Sequence, residues 1–208
     1  MQDRRDEFLI EVYRQMLNDI NRHILVVWQS VGVLVSAFAF LSLVEKNVVS
    51  LDIATALIVM LCGWLYGHLA DAAYWYNRNL VIIANIERQF LKQSDLADIH
   101  YYFGAHRKTN EPITHLRMQQ HLAIGLGGLV VLWHLLERVL PGAWSPWRMF
   151  DPMRAIPYCM AVGACFYGAY WVRRGERKYQ EFLKHSPGMK VDTSGISYGI
   201  GHGHGGGK

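Results

Sequence analysis

The chain is poor in cysteine, in acidic excess and, over long stretches, in charge of either sign. Only three cysteines occur in its 208 residues, and none stands in a CxxC or CxxxH spacing. Neither a zinc knuckle nor a disulfide framework is therefore expected, and no metal or cofactor is called for. Cys62, Cys159 and Cys165 all fall in apolar stretches, where a thiol packs as a small hydrophobe. No P-loop and no HExxH segment occurs, so the chain is not expected to be an enzyme. A cleavable leader is not expected either. The first 23 residues are amphipathic and charged, and the apolar run behind them is too long for a signal h-region. Basic residues exceed acidic ones by 21 to 17, for a net charge of +4, but they are dispersed along the chain. Without a recognition motif, that dispersion argues for no nucleic-acid partner.

The most telling scarcity is charge within four apolar runs, residues 24–44, 53–73, 122–140 and 156–172. The first has no Asp, Glu, Lys or Arg at all. A helix rises about 1.5 Å per residue, so a run of about 18 or more crosses roughly 30 Å of hydrocarbon. Within lipid a helix satisfies its own backbone polar groups. The fold class expected is all-α: a polytopic membrane protein with four transmembrane helices and long cytoplasmic helical extensions. The mean hydropathy of +0.07 is low for such a protein because most of the chain lies outside the four runs.

Lysine and arginine set the expected orientation. Of 21 such residues, all but Lys46, Arg138, Arg148 and Arg154 fall on one side of the alternating spans. The positive-inside rule puts that side, with both termini, in the cytoplasm, and the membrane expected is the plasma (inner) membrane. The outer connections are then short. Residues 45–52 are little more than a turn, and residues 141–155 carry three prolines with Trp144, Trp147 and Phe150, which suits an interfacial anchor.

Three divisions follow: a cytoplasmic amphipathic helix over 1–23, a membrane bundle over 24–185 with a cytoplasmic helical connection at 74–121, and a disordered Gly/His tail over 186–208. In the first, Leu9, Tyr13, Met16, Leu17 and Ile20 recur at helical spacing. The second span has no stop signal after Ala73, and one helix is expected from about Ile53 to about Lys92. Its cytoplasmic stripe of Leu80, Ile83, Ile86 and Phe90 is expected to pack on Leu9, Tyr13, Met16 and Ile20. Ser94 or Asp95 is placed to cap a short helix ending at Gly104. Pro112 suits the first turn of the helix leading into the third span, with Asn110 as a cap. Pro157 plays the same part for the fourth, which is expected to continue to about Lys184.

Two pairs of ionisable residues have helical spacing, His68 with Asp71 and His134 with Glu137. Opposite span directions set these pairs at opposite ends of the bilayer, so a combined metal site is not expected. His68 and Asp71 are the ion or proton candidates, because an ionisable group within a span is costly unless paired or hydrated; the plainer alternative is that both reach the headgroups. Glu137 and Arg138 are expected to mark the outer boundary of the third span. Gly63 and Gly67 form a GxxxG, which allows close helix packing within or between chains. His202 and His204 are too few ligands for a tight metal site. Finally, Ala73-Tyr74-Trp75 with Arg78 is echoed by Ala169-Tyr170-Trp171 with Arg174, each where a span enters the cytoplasm. An ancient duplication would explain the echo, as would a shared need for interfacial aromatics and basic anchors.

The outline resembles small bacterial membrane modules built from a cytoplasmic helix, a tight hairpin of spans and a long returning helix, some of them proposed to form pores. Four spans rather than two depart from the simplest members. The function expected is a non-enzymatic, self-associating scaffold or regulated pore-type effector. Its expected partners are the lipid bilayer, further copies of itself and a cytoplasmic protein met by its cytoplasmic helices. The alternative is a small transporter or ion/proton channel using His68 and Asp71.

Overall fold

The computed structural model describes residues 2–92, 95, 109–142 and 151–187. The expectations for Ser94 and the helix ending at Gly104, for Trp144 and its neighbours, and for the Gly/His tail lie outside these residues. Within them the chain is all-α: α1 (Gln2–Ala37), α2 (Phe40–Glu45), α3 (Leu51–Phe90), α4 (Thr114–His134) and α5 (Ile156–His185). A π-helical turn, Leu135–Val139, and a 3-10 turn, Leu140–Gly142, extend α4; a second 3-10 turn, Pro152–Ala155, leads into α5. Four helical segments are long and apolar enough to cross a membrane: Asp3–Glu45, Leu51–Phe90, Thr114–Gly142 and Pro152–His185. The protein is thus read as an integral, four-span helical membrane protein.

Some boundaries differ from expectation for local reasons. The amphipathic N-terminal helix and the first span are one helix, α1, because no Gly or Pro separates them. The break comes later, at Phe38-Ala39, where the N–H groups of Phe38 and Ala39 bond three residues back to Val35 and Ser36. Ser36 Oγ also donates to the Gly32 carbonyl at 2.9 Å, a back-bond that bends helices. The turn between α2 and α3 is tight. Asn47 adopts φ 55°, and the Val48 and Asn47 N–H groups bond Leu43 O and Val44 O, both at 2.9 Å. This is a Schellman closure with asparagine in the left-handed position usually given to glycine. Ser50 Oγ then accepts from Ile53 N–H and starts α3. At α4 the helix starts at Thr114 after an extended Ile113, so Pro112 precedes the first turn, and Asn110 caps nothing there.

The chain divides into two compact units. One comprises residues 1–25, 72–111 and 175–208, as far as these are described. In it α1 runs antiparallel to α3: Ile20, Leu80 and Ile83 form a buried cluster covered by Tyr13, Met16, Leu17, Ile24 and Tyr76. Tyr13 donates to Glu87 at 3.0 Å. Of the expected stripe, Leu80, Ile83 and Ile86 are buried, but Phe90 is 42% exposed and Leu9 is not in the cluster. Phe90 is the last residue of α3, and although α1 reaches this level, with Arg5 donating to Gln89, the Phe90 ring is left partly in the open. A second cluster joins Val81 to Tyr179 and Leu183 of α5. Buried Asn77 donates to Asn110 Oδ1 and the Glu111 carbonyl, and Asn110 N–H to Glu176, which secures the strand of chain ahead of α4.

The other unit, residues 26–71 and 112–174, holds the apolar parts of the spans. Here α3 runs antiparallel to α4 and parallel to α5. A Cβ at Gly127 would touch Cys62, and one at Gly63 would come within 2.5 Å of Ala164 Cβ. Val33, Ile124, Leu129, Val162 and Phe166 stand exposed on its outside. Apolar surface on this scale is what lipid contact requires. Cys62 is buried, whereas Cys159 and Cys165 lie on this outer surface rather than in the packing.

Candidate functional site

The best-defined polar site is a network at the end of the four-span unit where α3 and α5 begin and α4 ends. Asp52 lies in the first turn of α3, two residues after the Ser50 cap. His134 is the last α-helical residue of α4, and Arg138 follows within the π turn. Tyr158 is in the first turn of α5. Asp52 Oδ1 takes His134 Nε2 at 2.9 Å, and the Arg138 fork closes on both oxygens, Nε at 3.3 Å and Nη2 at 2.9 Å. His134 Nδ1 meets the Tyr158 hydroxyl at 3.1 Å. Beyond the fork, Arg138 Nη2 stands 3.8 Å from Asp151, whose Oδ1 accepts Met153 N–H and caps the turn before α5.

Burial makes this network consequential. His134 is fully buried and Asp52 is 2% exposed, while the Arg138 side chain retains 36% exposure. An ionised carboxylate can only accept, so in a neutral ring Nε2 carries the proton and Nδ1 takes the tyrosine O–H. The Asp52 carboxylate then accepts from His134 and from two nitrogens of Arg138, the kind of pairing under which a buried charge is tolerated. The π turn belongs to the same construction. Leu140 N–H bonds back to Leu135 O, five residues away, and such turns are frequent at functional sites. Chemically, the site ties three helices together and can hold or pass a proton between a tyrosine, a histidine and a carboxylate. Among the described residues, no group of three or more His, Cys, Asp and Glu side chains is placed to hold a metal ion.

The pairing of His134 with Glu137 is not formed: Glu137 is exposed, and His134 faces Asp52 and Tyr158 instead. Arg138, expected at a boundary, is an ion-pair member. The signal for this site was present in the topology. Alternating spans bring the start of the second, the end of the third and the start of the fourth to one membrane end, and each carries an ionisable or phenolic residue there. What hid it was the assignment of Asp52 to a loop.

His68 and Asp71 are both half-buried on α3, with the His68 ring stacked on Trp64 at 5.6 Å between centroids. Neither enters the Asp52 network. Gly63 and Gly67 face α5: Gly63 is against Ala164, and Gly67 against Tyr167 and Trp171, while Gly168 of α5 receives Tyr66 in return. The GxxxG face is therefore occupied within the chain. No family model, no curated protein and no solved structure matches this chain.

Proposed function

We propose that the protein is a non-enzymatic membrane scaffold with both termini in the cytoplasm, which self-associates in the bilayer and presents its cytoplasmic helices to a protein partner. The observation that carries this reading is the extramembrane unit. It has two hydrophobic clusters of its own and a fully buried Tyr179, which is far more ordered chain than anchoring requires. The Gly-rich tail does contain the letters of two enzyme motifs, a G-x-S-x-G over 195–199 and a G-x-G-x-x-G over 201–206. Both motifs act at strand-to-helix turns, and both lie outside the described residues.

Self-association has to use a face other than the GxxxG. Gly125 and Gly128 of α4 are exposed, with nothing within 4 Å of a Cβ built on either. Small residues on a lipid-facing helix let a second backbone approach closely. The test is the molar mass of the purified protein in mild detergent, compared with Gly125→Leu/Gly128→Leu. A multiple-copy mass that falls in the variant supports the reading, and a monomeric wild type removes self-association from it.

A second reading, a transport or channel role for His68 and Asp71, is favoured by one observation. Gln119 is buried on α4, with neither its amide nitrogen nor its oxygen bonded to any of the described residues. Buried amides without protein partners are commonly met by water. Proton or ion flux into liposomes carrying wild type, lost in His68→Ala/Asp71→Asn, supports it; absent flux removes it.

A further inference from the structure

The repeated Tyr-Trp-x-x-Arg segments fold alike. Arg78 lies over the Trp75 ring at 5.3 Å, and Arg174 lies over Trp171, also at 5.3 Å. In the extramembrane unit the first of these becomes a crossed clasp between two helices. Arg78 of α3 also covers Phe182 of α5 at 5.7 Å, and Lys178 of α5 covers Tyr74 of α3 at 5.5 Å. His23 of α1 stacks on Trp75. Tyr74 and Phe182 of the clasp pack on the Val81, Tyr179 and Leu183 cluster, which anchors these two rings from beneath.

The cations of the clasp are held by rings rather than by carboxylates. Arg5, Arg22 and Lys184 in the same unit each pair with a carboxylate, Asp6, Asp19 and Glu181. Among the described residues Arg78 and Lys178 pair with no carboxylate; Arg78 makes a long contact to Asn79, and Lys178 is exposed. Aromatic faces hold such cations in place without neutralising them. Their position is also specific: Arg78 follows Ala73 by five residues and Lys178 follows Val172 by six, about one and a half helical turns beyond the apolar runs. That is the depth of lipid phosphates, beside the aromatic belt.

We propose that Arg78 and Lys178, on their Trp75, Phe182 and Tyr74 platforms, form a binding site for the phosphodiester headgroup of an anionic phospholipid in the leaflet on the side of the termini. The guanidinium edge takes phosphate oxygens as a fork, and the ammonium supplies a second charge. Exposed Trp75 contacts the acyl-chain boundary.

The test uses full-length protein in neutral detergent, melted by tryptophan fluorescence with added phosphatidylglycerol, phosphatidylcholine or inorganic phosphate. Phosphatidylglycerol is expected to raise the melting temperature, and the other two to leave it in place. Arg78→Gln/Lys178→Gln should lose more than half of that rise, while Lys184→Gln keeps it. Should the double variant not fold, Lys178→Gln alone, at an exposed position, serves with retained phosphatidylglycerol counted by native mass spectrometry, and fewer retained lipids are expected. Equal stabilisation by both lipids, equal stabilisation by inorganic phosphate, or wild-type lipid retention in Lys178→Gln would each overturn the proposal.

Discussion

His134 of α4 and Asp52 of α3, 82 positions apart in the chain, meet at 2.9 Å in a site where the histidine has no solvent exposure. The contact holds the end of one span against the start of another, and Arg138 and Tyr158 complete it from either side. Breaking it should be costly.

Asp52→Ala leaves His134 without its acceptor and Arg138 with only the more distant Asp151 carboxylate. Breaking a fully buried pair costs roughly 3–5 kcal/mol. Arg138 is partly solvated, so a loss of about 3 kcal/mol is expected, read as a lower melting temperature in detergent. Tyr158→Phe removes one hydrogen bond and should cost about 1 kcal/mol. Glu137→Gln, at an exposed position, should melt with wild type. A Glu137 variant as damaging as Asp52→Ala would show the site to be drawn wrongly.

Ile83 is completely buried between α1 and α3, whereas Phe90 is not. Ile83→Asp puts an unpaired carboxylate into that cluster and should abolish stable expression. Ile83→Ala, the milder change, should cost roughly 2–5 kcal/mol. Phe90→Asp should be tolerated. Comparable yields for the two aspartate variants would mean that α1 does not cover α3 at this point.

Gly63 and Gly67 leave no room for side chains against α5. Gly63→Leu/Gly67→Leu should therefore lower folded yield, whatever the assembly state of the remainder. Gly125→Ala, with open space around it, should be silent or mildly stabilising. Normal yield with loss of oligomers in the double leucine variant would place the GxxxG between chains instead.

Reporter fusions check the proposed topology. Fusions after Val48 and Trp144 should report the outside, and fusions after Lys108 and His185 the cytoplasm. A cytoplasmic signal at Val48 with an outside signal at Lys108 would invert the arrangement.

The spans and the long α3 were legible because hydrophobic runs and unbroken periodicity depend on composition alone. The stripe at Leu80, Ile83 and Ile86 was legible for the same reason. Its last member, Phe90, was not, because periodicity gives the stripe but not how much of it a neighbouring helix covers. The Asp52 network escaped because its members are far apart in sequence and only three-dimensional register brings them together. Local spacing instead suggested His134 with Glu137, yet at this helix end the partner four residues on, Arg138, shares His134's face. The role of Gly63 and Gly67 within the chain was likewise undecidable from one helix, since a flat face says nothing of what occupies it.

The π turn over Leu135–Val139 gives this end of α4 a property that its ordinary composition conceals. A π turn accommodates one residue more than an α-helix would need over the same axial distance. Deleting one residue there would let the ladder revert to α-helix while the chain beyond keeps its axial position and phase, because the extra residue is what the widened turn absorbs. The same deletion in the α-helical body of α4 would turn everything beyond it by about 100° around the axis. A one-residue deletion at Leu136 should therefore be tolerated better than one at Leu129.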